Sequence, residues 1–221
     1  MIDVLYQWPP AAKLGSRVPK GKFYELGNVG TAVREMFVSE VHRITWIYKL
    51  AEETINLPGS TGVPEVQVFQ IDTHCNDVSE PVLTAIDKAI PYPIVFEVAR
   101  AFNGTRQVRM VAAHKVLGYG APKLSDYYAT DWQSSDAYRR PLPAAVTLAG
   151  LYTALLEPLT PITVRPGEEA SNVAARLNTV RKLEREIAAL ERKLQTEPQL
   201  NRKIELRRSL KTKQAQLEQQ R

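Results

Sequence analysis

The breakers of regular structure are distributed very unevenly along this 221-residue chain, and that constrains the fold more than any motif does. Fourteen of the 15 prolines and all 11 glycines lie at or before Gly167. Beyond it stand one proline, Pro198, and no glycine, and the last aromatic residue is Tyr152. A segment without breakers or aromatics, rich in Ala, Leu, Glu, Lys, Arg and Gln, has the composition of long helices. Val173, Leu177, Val180, Leu183, Ile187, Leu190 and Leu194 recur every three or four residues and form one apolar stripe. Thr196, with Gln199 three places on, reads as a capping box, and Pro198 is tolerated in a first helical turn. A second helix then carries Leu200, Ile204, Leu206, Leu210 and Leu217. A short connection makes neighbouring helices antiparallel, so residues 168–221 are predicted to form a coiled-coil helical hairpin with its turn near 196–199. With that turn, Lys203 is expected opposite Glu191 across the seam.

Residues 1–167 are predicted to be a separate α/β globular domain. Its apolar spacing predicts a helix from Val29 to Arg43, with strands at 44–50 and 65–71. A helix over 79–90 follows, with Ser79 as N-cap and Pro81 in its first turn. Strands are expected at 93–99 and 108–116, joined through Asn103-Gly104; residues 117–141 read as loop, and 143–156 as an apolar helix. The fold class is therefore α+β: a mixed β-sheet with covering helices, then the hairpin. There is no internal repeat.

Charge sharpens the division. The formal net charge is +5, from 29 Lys+Arg and 24 Asp+Glu. Residues 1–167 hold 16 of each, and 168–197 hold six of each. The whole surplus falls in the last 24 residues, seven basic against two acidic. That excludes a protein that is basic all over, as a DNA coat would be. It singles out Arg202, Lys203, Arg207, Arg208, Lys211 and Lys213 as a surface for nucleic acid or a protein partner. The competing reading is a solvated helix face. No aromatics interleave these cations, so base stacking on them is not expected. The single cysteine, Cys75, excludes an internal disulfide and fits a reducing compartment. No signal peptide or membrane span is read from the sequence, and a cytoplasmic location is expected.

Chemical motifs are sparse. Gly118-x-Gly120 leads into Ala-Pro rather than a helix, so it is not a dinucleotide loop, and no Walker-type sequence exists. Asp72, His74, Cys75 and His114 lack the tight spacing of a structural metal set, and a polar turn is expected there. Glu65-x-Gln67 on a strand is the one pattern with nuclease chemistry. PD-(D/E)xK enzymes hold Mg²⁺ with carboxylates on neighbouring strands and position water with a lysine, for which Gln is a known variant. No companion aspartate stands out on 44–50, and such a pair also suits a solvent-facing strand. Lys49, Glu52, Glu53 and Asn56 gather where the first strand ends, either as a site or as caps of the next turn. Lys49 and Glu53 join Glu65 and Gln67 as the catalytic candidates. No other cofactor or metal is expected.

Several stretches together resemble a bacterial and archaeal family catalogued as a domain of unknown function. They are Pro19-Lys20 with Phe23; Ile44-Thr-Trp-Ile-Tyr-Lys-Leu50 with Glu53-Thr-Ile-Asn56; Glu65-Val-Gln-Val-Phe69; Ile86-Asp87 with Ala89-Ile-Pro-Tyr-Pro93; Pro141-Leu-Pro143 with Leu151-Tyr152; and Gln199-x-Asn201-Arg-Lys-Ile-Glu205. The family carries an aromatic residue at the position of Leu200 and a lysine at that of Pro198. The resemblance implies a small companion of helicases and DNA methyltransferases in restriction-like or phage-defence gene clusters, and it carries over no catalytic residue. The first functional expectation is thus a non-enzymatic accessory subunit of a DNA-processing defence complex. The second is a metal-dependent nuclease. The third is a structural protein that self-associates through its hairpins as a homodimer.

Overall fold

A computed structural model describes residues 4–117, 122–163, 165, 168 and 170–221. The Gly118-x-Gly120 pair lies outside the described residues. Two compact units result, Met1–Leu159 and Thr160–Arg221.

The first unit is built on a seven-stranded mixed sheet. Its strands are β1 (Lys13–Arg17), β2 (Val41–Leu50), β3 (Val66–Thr73), β4 (Ile94–Phe102), β5 (Thr105–Val116), β6 (Lys123–Ala129) and β7 (Gln133–Ser134). The spatial order is β1-β2-β3-β4-β5-β6, with β7 beside β5. Every pairing is antiparallel except β3–β4. Parallel neighbours need a crossover, and helix α4 (Glu80–Ala89) supplies it. β4 and β5 form a tight hairpin at Asn103 and Gly104, with φ of 49° and 75°. Positive φ at both central residues is the primed turn that an Asn-Gly pair favours.

Strand alternation divides the core. One face of the sheet packs Phe69, Ile71, Phe96 and Val98 under α1 (Lys20–Leu26), α2 (Thr31–Glu40) and α4. The other packs Val66, Val68, Val95 and Met110 under the N-terminal segment and helix α5 (Leu148–Leu156). A short helix, α3 (Glu52–Ile55), turns the chain between β2 and β3.

One buried lysine ties both layers to β5. The Nζ of Lys115 donates to the carbonyls of Asp87, Ile90 and Tyr92 at 2.7, 2.9 and 2.7 Å, and lies 2.7 Å from Asp87 Oδ1. Its three N–H groups thus satisfy the open C-terminal carbonyls of α4 and the turn after it, while the carboxylate supplies the counter-charge. Tyr127 of β6 donates to the other carboxylate oxygen at 2.6 Å. A register shift in the β5–β6 pairing between Ala113 and Lys115 opens the ladder here. From the opposite layer, the Tyr152 hydroxyl of α5 donates to Ala113 O (2.7 Å) and accepts from Lys115 N (3.0 Å). Burial drives the Asp87 carboxyl and both tyrosines upward and the Lys115 ammonium downward, and the pair's mutual attraction opposes those shifts at Asp87 and Lys115.

The second unit is the hairpin, α6 (Ala170–Thr196) against α7 (Leu200–Gln220). At 1.5 Å per residue α6 is about 40 Å long. The arms run antiparallel: Lys213 pairs with Glu186 at 2.7 Å, Arg221 pairs with Glu184 at 3.2 Å, and Arg176 donates to Gln220 O at 2.7 Å. Arg176 also grips Glu168, at 2.6 Å.

Several expectations are corrected. Val41, predicted helical, opens β2, because Val41 pairs with Thr73 and Arg43 with Asp72 across the sheet. The segment read as loop over 117–141 contains β6 and β7. β1 and α1 carried no recognisable pattern, since every residue of β1 is exposed at the sheet edge. α5 starts only at Leu148, where Thr147 Oγ1 accepts from Gly150 N. Ser79 stands at the N-cap of α4, but its side chain makes no cap bond. Thr196 does not cap α7. It ends α6, its hydroxyl turned back on Arg192 O and Lys193 O, and Gln199 is the N-cap residue. Glu197 Oε1 accepts from Gln199 N instead. The seam pairs are Lys213–Glu186 and Arg221–Glu184, and Lys203 forms no ion pair with Glu191 among the described residues.

Replacing Lys115 by Met should strand the Asp87 carboxylate and three carbonyls in the core. A loss of about 3–5 kcal/mol is expected for a broken buried pair, read as a lower urea midpoint with an unchanged slope.

Candidate functional site

The four catalytic candidates from the sequence meet in space. Lys49, near the end of β2, is the register partner of Gln67 on β3. Its Nζ lies 2.5 Å from Glu53 Oε1, one helical turn on in α3, and 3.3 Å from Glu65 Oε2. Gln67 Nε2 donates to Glu65 Oε1. The hydrogen bond to Glu53 raises the Lys49 pKa, and the same bond lowers that of Glu53. The ammonium therefore bridges two carboxylates and offsets one of their two charges.

Local structure explains why they converge. Thr54 Oγ1 accepts from Ala51 N and donates to Lys49 O, which starts α3 directly off the strand. Asn56 takes the left-handed conformation (φ 53°) that ends α3. Among the described residues no group of three or more His, Cys, Asp or Glu side chains is placed to hold a metal ion. Asp72, His74, Cys75 and His114 are dispersed in function. Asp72 binds arginines, and His74 stacks edge-on against His42 at 4.9 Å. Cys75 Sγ contacts Asp77 O at 2.9 Å, and His114 is buried beside Tyr152.

On α7, Arg202, Arg207, Arg208 and Lys211 are exposed, and none pairs with a carboxylate among the described residues. Lys203 is half-buried, and Lys213 is neutralised by Glu186. Leu200 and Ile204, one turn apart at the start of α7, are exposed at 70% and 41%.

Two networks in the first unit escaped the sequence reading. Asp72, at the end of β3, is 6% exposed. Arg43 reaches its Oδ2 at 2.7 Å, and Arg106 reaches Oδ1 at 2.5 Å, joined there by Gln70 at 2.9 Å. Burial alone would raise this carboxyl, but the bonds from Arg106, Arg43 and Gln70 outweigh it and the pKa falls below the ordinary value. Glu97, central in β4 and 3% exposed, accepts from Trp8 Nε1 at 2.6 Å and from both terminal nitrogens of Arg139 at 2.6 and 3.0 Å. The bond to Glu97 raises the Arg139 pKa. The only advance signal was an acidic residue inside an apolar strand, which has to be paired when buried.

The described residues thus define a class: an α+β domain on a mixed sheet, joined to an antiparallel helical hairpin. A family model, Domain of unknown function (DUF4391), matches residues 7–217, and the chain belongs to that family. No curated protein and no solved structure matches it.

Asp72 gives a pH test. Its lowered pKa adds stability that is present above the unfolded value of about 3.9 and is lost as pH falls through the folded value. Asp72→Asn should cost about 1–3 kcal/mol at pH 7. It should also flatten the dependence of the urea midpoint between pH 5 and 2.

Proposed function

We propose that the protein is a non-enzymatic accessory subunit that docks on a larger DNA-processing machine of the restriction or phage-defence kind. A helicase or a DNA methyltransferase is the partner that the family resemblance suggests. The hairpin is the docking element in this reading. The observation that supports it is the α7 face, where exposed cations with no counter-carboxylate among the described residues lie beside exposed Leu200 and Ile204. A solvated helix face normally mixes both signs of charge, whereas this one leaves attraction for an acidic surface unspent.

The convergence of Lys49, Glu53, Glu65 and Gln67 supports a second reading, a metal-dependent nuclease of the PD-(D/E)xK type. Glu53 and Glu65 would hold Mg²⁺, which commonly takes only one or two carboxylates and completes its shell with water and substrate phosphate. Lys49 would have to release them first, because it now bridges both. The bound ion would polarise a phosphodiester, and Lys49 and Gln67 would orient groups around it.

Two experiments separate these readings. Affinity recovery from the native host should bring down a helicase or methyltransferase with the intact chain. That recovery should fall at least tenfold when Arg207, Arg208 and Lys211 become Gln and Leu200 becomes Glu; unchanged recovery would remove the hairpin from the interface. In a nicking assay with Mg²⁺, the accessory reading expects no cleavage, whereas a nuclease would cleave and lose at least a hundredfold in rate on Glu65→Ala.

A further inference from the structure

The sheet face beneath α5 carries a polar trough that neither reading uses. It includes a solvent-open cavity of about 360 Å³, lined by Gln7 and Trp8 of the N-terminal segment, Lys13 of β1, Tyr48 of β2, Gln70 of β3, Glu97 of β4 and Arg139. β1 gives way there. Its register against β2 shifts between Lys13 and Ser16, and Gly15 between them sits at φ 71°, a conformation that costs glycine little.

Gln70 links the cavity to the Asp72 network. It lines the cavity, stands opposite Glu97 in the parallel β3–β4 pair, and donates to Asp72 Oδ1 at 2.9 Å. Asp72 holds Arg43 and Arg106, whose side chains remain 47% and 49% exposed. The Nη1 groups of both arginines make no hydrogen bond among the described residues. Both carboxylates of the trough, Asp72 and Glu97, are buried and hydrogen-bonded at both oxygens. Each acts as a template that fixes guanidinium groups. What the trough presents to a ligand is therefore cationic: Lys13, Arg43, Arg106 and Arg139 against two internally satisfied carboxylates.

We propose that this trough binds a nucleotide, with its phosphate on Arg43 and Arg106 and its base in the cavity against Tyr48. Paired guanidinium forks match phosphate oxygens in geometry as well as charge. The cavity volume lies at the small end of the ~300–1,000 Å³ typical of ligand sites. An aromatic wall takes the face of a base, and the amides of Gln7 and Gln70 suit its edge. Asp72 and Gln70 are two strand residues apart, about 7 Å, a span of the order of one nucleotide. Free nucleotide and an unpaired nucleotide of a single strand share this chemistry. The site lies within residues 7–139, so its failure would leave the hairpin reading standing, and the reverse also holds.

The test is fluorescence anisotropy of a labelled 12-residue oligothymidylate on the full chain in 50 mM salt, with thymidine 5′-monophosphate as competitor. Arg43→Gln with Arg106→Gln should weaken binding at least tenfold and flatten the salt slope by roughly 0.7–1.4. Because those changes also loosen Asp72, two further variants carry the test with that network intact. Lys13→Gln, at an exposed position, should weaken binding two- to fivefold. Tyr48→Leu, which keeps apolar packing, should weaken it at least fivefold with little change in salt slope. Competition by the monophosphate at equal phosphate concentration assigns the site to free nucleotide, and oligonucleotide binding without such competition assigns it to a single strand. No binding at low salt would overturn the proposal. So would binding that is indifferent to all these changes and is lost when Arg207, Arg208 and Lys211 become Gln.

Discussion

The first unit depends on one ammonium group. Lys115 is buried on the sheet, yet a charge in that position is tolerable because every contact it makes relieves another problem. The C-terminal carbonyls of α4 would otherwise end in the core without donors, and the Asp87 carboxylate would lack a counter-charge. The same residue's backbone amide, exposed by the irregular β5–β6 register, is taken up by Tyr152 from the other layer. One residue of β5 thereby fixes where α4 ends, where β4 begins after Pro93, and how α5 sits. Substituting a hydrophobic residue removes the charge but leaves those polar groups behind, which is why such networks cost more to break than to do without.

The same logic recurs on the face beneath α5, with the signs reversed. There the buried groups are carboxylates, and the cations come from outside the strands that bear them. Asp72 and Glu97 are buried, and their oxygens accept from arginines, Gln70 and Trp8. Burial has turned them into anchors that hold arginines in fixed geometry without the entropy an unrestrained arginine would lose on binding. The hairpin spends its charge differently. Lys213 and Arg221 fasten the arms to each other, whereas Arg202, Arg207, Arg208 and Lys211 pair with no carboxylate among the described residues. A formal charge of +5 is thus an incomplete description, since buried carboxylates make a nominally neutral domain locally cationic as well.

Legibility in the sequence followed the strength of local signals. β3, β4 and α4 were readable because a central strand is a short apolar run and α4 has proline in its first turn. The hairpin was readable from what it lacks. β1 was not, since every residue of Lys13-Leu-Gly-Ser-Arg17 is exposed and its pairing with β2 is a tertiary fact. β6 was hidden because Lys123, Ser125 and Asp126 outweigh Tyr127 in any window. The cluster around Lys49 could be assembled in advance because its members flank one strand–helix–strand connection. The partners of Glu97 could not, because Trp8 and Arg139 are 89 and 42 residues away in the chain. The family motif Ile86-Asp87 with Ala89-Ile-Pro-Tyr-Pro93 had no chemical meaning until Lys115 was found to bind the carbonyls of Asp87, Ile90 and Tyr92.

The position of that lysine in the chain also orders events in time. α4 is synthesised before β5, and about 25 residues separate Ile90 from Lys115. At 5–20 residues per second, the helix end waits about 1–5 seconds for its clamp during synthesis. Until then the Asp87, Ile90 and Tyr92 carbonyls lack the Lys115 donor. The parallel β3–β4 pairing, closed over the α4 crossover, gains its cap only when β5 folds back through Asn103-Gly104. The contacts that tie the two layers together therefore become available only once β5 has been made.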